Sequence, residues 1–164
     1  MTEREFEHVL ATHAAMMQRI AASYEAVPAA RDDLLQDMAV ALWRALPRWR
    51  GEGSLRSFIA RIAHNRAVTH ITHQSKHRHE PVSEYGHRDE SADTERDAVR
   101  TQRRERLQRA MRRLPLGQRQ VVTLALEGFS HAEIGAALDI TANNVGVRIN
   151  RARKALTQYL GETA

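Results

Sequence analysis

The sequence predicts an all-α protein made of two small helical domains joined by a flexible linker. Apolar residues recur at three- and four-residue steps in several segments, as in amphipathic helices, and no segment alternates as a strand does. Residues 77–97 lose this periodicity and gather Pro, Ser, Gly, Asp and Glu, which is typical of a linker. The predicted domains therefore cover residues 1–79 and 98–164, with the linker over 80–97.

Three helices are expected in the first domain. Residues 4–25 form the first, which Pro28 ends, and its inward stripe is Phe6, Val9, Leu10, His13, Met17, Ile20 and Tyr24. The second runs over about residues 31–45, with the inward residues Leu35, Met38, Leu42 and Leu46. The third follows Ser54, a good N-cap, and continues toward His79. Its polar face is expected to carry Arg56, Arg61, His64, Arg66, His70 and His73.

The second domain is predicted to contain four helices. Pro115 ends the first, whose stripe is Leu107, Ala110, Met111 and Leu114. The next covers residues 118–127 and is followed by Gly128, a common residue just beyond a helix. Ser130 and Glu133 have the spacing of a capping box for a short helix that ends at Leu138.

A short turn then leads into the last helix. Asp139 and Ile140 form this turn, in which Asp tolerates the left-handed conformation, and Thr141 caps the helix. The residues predicted to face inward are Val145, Ile149, Ala152, Leu156 and Leu160. The pattern indicates two helices joined by a tight turn.

Such a pair can present the start of its second helix to the major groove of DNA. The outward residues at that end are Asn143, Asn144, Val147, Arg148 and Arg151. Asparagine can bond adenine and arginine can bond guanine through two hydrogen bonds each, and valine methyls can meet thymine. The alternative is a structural helical hairpin that is merely basic.

Charge is distributed in alternating blocks along the chain. The net charge is −4 over residues 1–43 (3 basic, 7 acidic), +7 over 44–79 (8 basic, 1 acidic), −5 over 80–97 (2 basic, 7 acidic) and +7 over 98–164 (12 basic, 5 acidic). Two basic blocks are expected of a chain that contacts a polyanion at two places, although each could also be a solvated helix surface.

The composition excludes several other classes. The chain has no cysteine, which rules out disulfides, thiolate metal sites and thiol catalysis. Its apolar runs are too short to cross a membrane and its N-terminus does not resemble a signal peptide, so the expectation is a cytoplasmic protein without membrane insertion. No glycine-rich phosphate loop, nucleophile elbow or convincing acid pair indicates an enzyme, and no cofactor is expected.

A metal-dependent enzyme is the one catalytic alternative that the residues suggest. His64, His70, His73, His77 and His79 lie close in sequence, and three of them can share one face of a helix. That stretch contains no Asp or Glu to act as a general base and no cysteine ligand, so histidines on a phosphate-binding surface are the simpler interpretation.

Two segments carry a family resemblance. LQRAMRRLPLGQRQVVTLALEGFSHAEIGAALDITANNVGVRINRARKAL, residues 107–156, resembles region 4 of bacterial extracytoplasmic-function (ECF) sigma factors. RDDLLQDMAVALWRALPRWRGEGSLRSFIARIAHNRAVTHI, residues 31–71, resembles their region 2, with D-D-L-x-Q, A-L-P-R-W-R-G and I-A-x-N in the family's order. The resemblance implies a non-enzymatic initiation factor that binds core RNA polymerase, directs it to promoters and helps to open the duplex.

The resemblance also implies roles for particular residues. The acidic helix with Asp32, Asp33, Gln36 and Asp37 would dock on the coiled coil of the polymerase beta-prime subunit. The beta subunit is the other polymerase partner that the resemblance implies. Without the resemblance, those carboxylates are explained by the dipole at a helix N-terminus, since Asp32 and Asp33 fall in its predicted first turn. The helix starting at Asn143 would read the minus-35 element of the promoter.

The minus-10 element would be held by the loop PRWRGEG and the helix after it. The candidate residues are Arg48, Trp49, Arg50, Arg56, Arg61 and Asn65. An unstacked base can be held by aromatic faces and arginine planes, which this loop offers. Trp49 could instead pack on the core, and Asn65 could bond to the backbone within the domain.

Other partners follow from the same resemblance. ECF sigma factors are often held inactive by an anti-sigma protein, so such a partner is part of the expectation. The competing hypothesis is a helix-turn-helix regulator that never engages polymerase, which leaves the region-2-like loop without a role.

Overall fold

The computed structural model describes residues 1–77 and 94–162. Within these ranges the chain is helical and contains no strand. In chain order the elements are α1 (Glu3–Ala22), α2 (Pro28–Ala45), a short 3-10 turn (Leu46–Arg48), α3 (Leu55–His77), α4 (Glu95–Arg113), α5 (Leu116–Leu126), α6 (His131–Leu138) and α7 (Ala142–Glu162). The predicted fold class is confirmed. Helices α1 to α3 pack together as one layer of the molecule and α4 to α7 as the other.

The boundary between α1 and α2 differs from the prediction. α1 ends at Ala22, and Pro28 does not end it but occupies the first position of α2. Proline suits that position because the first N–H of a helix has no partner within the helix. α2 therefore begins before Arg31, and Asp32 and Asp33 lie beyond its first turn. The dipole explanation for these two carboxylates is wrong for this reason.

The buried stripe of α2 consists of Leu34, Met38 and Leu42, each 0% exposed. Leu35, predicted to be central, lies at the edge of this stripe and is only partly buried. The spacing of apolar residues allows either Leu34 or Leu35 to face inward, and the helix face that meets α1 and α3 decides between them.

Helix α3 starts where the sequence indicates. The Ser54 hydroxyl accepts a hydrogen bond from the Ser57 N–H at 3.0 Å, and the Phe58 N–H bonds to the Ser54 carbonyl at 3.1 Å. His64 does not lie on the polar face as predicted: it is 2% exposed, with its ring 5.8 Å from that of Tyr24. It belongs to a buried stripe at helical spacing, with Ala60, Ala63 and Ala67.

The second domain follows the predicted order with small shifts. α4 begins at Glu95, inside the segment predicted to be linker, because Thr94 caps it by accepting from the Asp97 N–H. α5 covers Leu116–Leu126 instead of residues 118–127, and it begins directly after Pro115. Gly128 follows with φ of 86°, as expected for a residue just past a helix.

The two layers contact each other. Their buried apolar side chains form one continuous cluster that includes Ile20, Tyr24 and Ile59 of the first layer and Met111, Leu114 and Val121 of the second. Both layers thus share a core in this structure, an arrangement of the two domains that the sequence leaves open.

Candidate nucleic-acid interface

The helix pair α6–α7 is held by two caps and a tight turn. Glu133 N–H donates to the Ser130 hydroxyl at 3.1 Å, and Ser130 N–H donates to the Glu133 carboxylate at 2.7 Å, so the predicted capping box is present. The Thr141 hydroxyl accepts from the Asn144 N–H at 3.1 Å at the start of α7. These bonds satisfy N–H groups that a helix start leaves without partners.

The turn between α6 and α7 depends on two backbone positions. Asp139 adopts the left-handed conformation, with φ of 57° and ψ of 46°, as predicted. Gly135, which the sequence interpretation overlooked, is buried, and a β-carbon there would lie 2.6 Å from the Ile140 carbonyl oxygen. Because that distance is impossible for real atoms, only glycine lets α6 approach the turn this closely.

The start of α7 presents most of the predicted residues to solvent. Val145 is 0% exposed, so the opposite side of the helix faces solvent. The residues exposed there are Asn143, Asn144, Val147 and Arg151. Asn143, Val147 and Arg151 follow one another at steps of four and so form one stripe. A free stripe of this composition is suited to base edges in the major groove.

Arg148 differs from its neighbours because it is half-buried. Its Nε donates to the Asn144 Oδ1 at 3.0 Å. Its guanidinium also lies over Gly117 at the start of α5, where a β-carbon would come within 3.0 Å of Nη1. The structure therefore pairs two residues that the sequence treated as separate base contacts.

Gly146 lies beneath His131 of α6, whose ring atoms would be 3.6 Å from an added β-carbon. That distance is ordinary van der Waals contact, so the packing of α6 on α7 does not by itself require glycine at this position.

In the first layer, the loop before α3 is exposed. Arg48 and Arg50 are free at its surface, and Gly51 and Gly53 have positive φ values of 80° and 72°, which residues with a side chain rarely adopt. Arg61 and Asn65 are also exposed and lie one turn apart on α3. Each of these four side chains is therefore accessible to a nucleic acid.

Trp49 and Arg56, the other two candidates for the minus-10 contact, have side chains that are engaged within the protein. The Trp49 ring packs against Phe58 at 6.1 Å between centroids, and its Nε1 is buried without a hydrogen-bond partner among the described residues. This contact favours the core-packing alternative. Arg56 is five residues before Arg61, about 140° away around α3, and its guanidinium contacts Glu127 and Phe129 of the second layer.

The predicted acidic surface of α2 is accessible to solvent. Asp32, Asp33, Gln36 and Asp37 are all exposed on α2. Next to them lie Val40 and Trp43, 48% and 44% exposed, and the Trp43 ring contacts Phe6 edge-on at 4.9 Å. The sequence interpretation missed these two apolar residues, although their position opposite the buried stripe of α2 could have indicated them.

A shallow cavity of about 450 Å³ lies beside this surface. It is lined by Asp37, Val40, Ala41, Arg44, Ala45, Arg48 and Arg66. Arg44 and Arg66 were not among the predicted contacts. They extend the basic surface from the loop toward the acidic helix.

The histidines of α3 have different surroundings. Burial lowers the pKa of His64 to about 4, so its neutral form is favoured. His70 Nε2 lies 2.7 Å from Oε2 of Glu25, which also accepts from Gln74 at 2.7 Å. Burial opposes ionisation of Glu25, but bonds from the Val27 N–H, His70 and Gln74 outweigh it and lower the Glu25 pKa.

Among residues 1–77 and 94–162, no group of three or more His, Cys, Asp or Glu side chains is placed to hold a metal ion. The side chain of His77 and the whole of His79 lie outside the described part of the chain. None of the described helices is both long and apolar enough to cross a membrane.

These features define the class of protein: an all-helical, two-part DNA-binding protein with a helix-turn-helix and a second basic loop surface. Residues 9–77 match the family described as Sigma-70 region 2, and residues 104–156 match Sigma-70, region 4. The two matches together span most of the chain, which therefore belongs to the sigma-70 family as an ECF sigma factor.

Individual relatives agree with this assignment. The chain is 27% identical over 158 residues to the ECF RNA polymerase sigma factor SigM of Mycobacterium tuberculosis, covering 95% of this chain and 77% of that protein. Its fold is similar to RpoE of Bartonella quintana, solved with the anti-sigma factor NepR, with a TM-score of 0.74 and 19% identity over 96% of this chain and 98% of that one. CnrH, solved with the cytosolic domain of CnrY, gives a TM-score of 0.70 and 24% identity over 99% and 92%.

The function is accordingly that of an RNA polymerase sigma factor, a transcription initiation factor and not an enzyme. Its partners are core RNA polymerase and promoter DNA. Neither the metal-dependent enzyme nor the regulator that never engages polymerase is favoured by these matches.

Proposed function

We propose that the two layers divide the work of promoter recognition, with residues 1–79 contacting core polymerase and the minus-10 element, residues 80–97 linking the parts, and residues 98–164 reading the minus-35 element. The observation that carries this proposal is the exposed stripe Asn143, Val147 and Arg151 at the start of α7, opposite the buried Val145. That stripe is what a recognition helix needs for base contact.

Polymerase docking is assigned to α2. Asp32, Asp33, Gln36 and Asp37 are exposed and adjoin the exposed side chains of Val40 and Trp43. A polar rim next to a projecting aromatic side chain is the usual composition of a protein–protein interface. The proposed contact of this surface is the beta-prime subunit, and the beta subunit is proposed as a further partner of the chain.

The minus-10 contact is assigned to Arg48, Arg50, Arg61 and Asn65, each of which is exposed. Arg56 is proposed for the same set, although its guanidinium contacts Glu127 and Phe129 of the second layer in this structure. Trp49 would support the loop through its packing on Phe58 and would hold an unstacked base only if its ring moved away.

The minus-35 contact is assigned to Asn143, Asn144, Val147, Arg148 and Arg151. Phosphate contacts from the arginines of α4 and from Arg153 and Lys154 would add affinity without sequence preference. We place the protein in the cytoplasm, where its polymerase partner works. We expect an anti-sigma protein among its partners, because the solved structure of RpoE, which has a similar fold, contains one.

Reconstitution tests the proposal. The purified chain and bare core polymerase should co-elute in gel filtration and give run-off transcripts from defined genomic positions. Sequencing the DNA bound by this holoenzyme should yield two conserved elements. Co-elution without a defined start site would contradict the promoter-recognition part.

A further inference from the structure

The start of α5 carries a glycine whose missing side chain leaves room for a residue of α7. Gly117 is the second residue of α5, and glycine is, after proline, the least favourable residue in a helix. A β-carbon added to Gly117 would lie 3.0 Å from Nη1 and 3.6 Å from Cζ of Arg148. Apart from its chain neighbours and the backbone of its own helix, no other described residue comes within 4 Å of that position.

Neither the backbone nor the packing of the helices accounts for this glycine. Gly117 is not among the described glycines with positive φ. A β-carbon at Gly135 would meet a backbone oxygen at 2.6 Å, whereas one at Gly117 would meet only the end of a flexible side chain. Arg148 is thus the one described residue outside α5 that a larger side chain at position 117 would displace.

Two contacts limit the positions that the Arg148 side chain can take. Its Nε donates to Oδ1 of Asn144, one turn earlier on α7, at 3.0 Å. The end of the guanidinium lies against Gly117 of α5, so the side chain is half-buried, although Val147 next to it is exposed. A side chain that is held in place before binding loses less conformational entropy when it meets a ligand.

Charge does not explain why the guanidinium lies there. The start of a helix carries a partial positive charge, which disfavours a nearby cation. Among the described residues, no carboxylate forms an ion pair with Arg148, and Asn144 is the one acceptor of its hydrogen bonds. The Nη donors are therefore available to an acceptor outside the protein, and the major-groove edge of guanine offers two.

We propose that Gly117 is a positioning residue for promoter reading: it leaves space for Arg148 and so sets the direction in which that guanidinium meets a base. This inference rests on the proposed function, because it takes Arg148 as a base contact in the minus-35 element. Gly117 acts through Arg148 and makes no contact of its own with a base. A side chain at position 117 moves the guanidinium by a few tenths of an ångström, and hydrogen bonds to a base weaken when their distance and angle change.

Gly117→Ala tests the proposal in reconstituted holoenzyme. Sequencing of selected DNA should show that preference at the base contacted by Arg148 falls by about fivefold, with other positions unchanged. The thermal unfolding temperature should not decrease, because alanine favours the helix and displaces only the end of a flexible side chain. Gly161→Ala is the matched control, since this glycine is also helical, in the last turn of α7, and a β-carbon there meets no atom within 4 Å. It should leave base preference unchanged.

Arg148→Ala identifies the base position and provides a coupling test. In the Arg148→Ala background, Gly117→Ala should cause no further loss of preference, because no guanidinium is left to displace. A full effect of Gly117→Ala in that background would overturn the proposal. Unchanged base preference in the Gly117→Ala single variant would also overturn it.

NMR supplies a readout that does not depend on promoter recognition. In the full chain without DNA, the Arg148 Nε–H signal, assigned by its absence from Arg148→Lys, should show restricted motion. In Gly117→Ala this signal should shift and its motion should increase, while the Nε–H signal of the exposed Arg151 serves as the internal control. An Arg148 signal that is identical in both proteins would overturn the proposal. A holoenzyme that selects no minus-35 element would contradict the proposed function, and the NMR comparison would still decide whether Gly117 positions Arg148.

Discussion

Asn144 Oδ1 accepts a hydrogen bond from the Arg148 Nε, one turn further along α7, at 3.0 Å. One of the two lone pairs on the oxygen that Asn144 would use in a two-bond contact with adenine is therefore already engaged. Arg148, in turn, is fixed between Asn144 and Gly117, so its Nη groups remain the available donors. The two residues are expected to act on DNA as a unit in which Asn144 orients Arg148.

This pairing predicts the outcome of a double-mutant cycle. Arg148→Ala should relax base preference at one position of the upstream element by about 1–3 kcal/mol. Asn144→Ala should weaken preference at that same position, and it should add little once Arg148 is gone. The measurement is sequencing of DNA selected by reconstituted holoenzyme. Asn150→Ala, at an exposed position outside the proposed set, is the control. Additive losses at two different base positions would show that Asn144 reads DNA independently.

Asp33→Ala is expected to weaken binding to core polymerase several-fold. The carboxylate is exposed, so its removal should leave the free energy of unfolding nearly unchanged. Titration of labelled protein with core polymerase measures the effect, and Glu7→Ala on the exposed side of α1 is the matched control. Affinity for mixed-sequence DNA should not fall in either variant, and a loss there would refute the assignment of α2 to polymerase contact.

Stability should decrease as the pH falls below 6.5, because His64 is buried in its neutral form. The unfolded chain protonates this histidine near its ordinary pKa of 6.5, whereas the folded chain does so only near pH 4. Protons therefore favour the unfolded state, and the slope approaches about 1.4 kcal/mol per pH unit in that window. Urea denaturation at pH 7 and pH 5 measures this loss, expected at about 2 kcal/mol. The His64→Gln variant should lose less of its free energy of unfolding between pH 7 and pH 5. Equal losses in this variant and in the unchanged chain would exclude His64 as the cause.

The turn at Asp139 gives a prediction about stability alone. Asp139→Ala places a less tolerant side chain at φ of 57° and should lower the free energy of unfolding by about 1 kcal/mol. Asp139→Gly should cause no such loss, because glycine adopts this conformation without steric cost. Thermal and urea unfolding compare the three proteins. A destabilised glycine variant would show that the Asp139 side chain, and not its backbone conformation, is what the turn requires.

Trp49 is predicted to act mainly through packing. Trp49→Ala should lower the free energy of unfolding by about 2 kcal/mol through loss of the contact with Phe58. Trp49→Phe should retain most of that stability and most of the promoter opening, which permanganate footprinting of the melted strand can measure. Normal stability with lost opening in Trp49→Phe would instead support direct stacking of a base on the indole.

Much of the fold could be predicted from local patterns. The capping box at Ser130 and Glu133, the caps at Ser54 and Thr141, and the left-handed Asp139 each depend on residues within a few positions of one another. Pro28 was misinterpreted because proline both follows helices and begins them, and sequence spacing does not distinguish the two.

The exposed stripe of α7 and the acidic surface of α2 were also predictable, since helical periodicity places residues on faces before any packing is known. What only the tertiary structure decided are the contacts between distant segments. His64 is buried against Tyr24, and the Arg148 guanidinium lies over Gly117. Glu127 accepts hydrogen bonds from Arg19 and Arg56. Glu127 is 108 residues from Arg19, and no local propensity links residues so far apart. Their pairing depends on the packing of two helical layers, which buries the carboxylate and makes its arginine partners necessary.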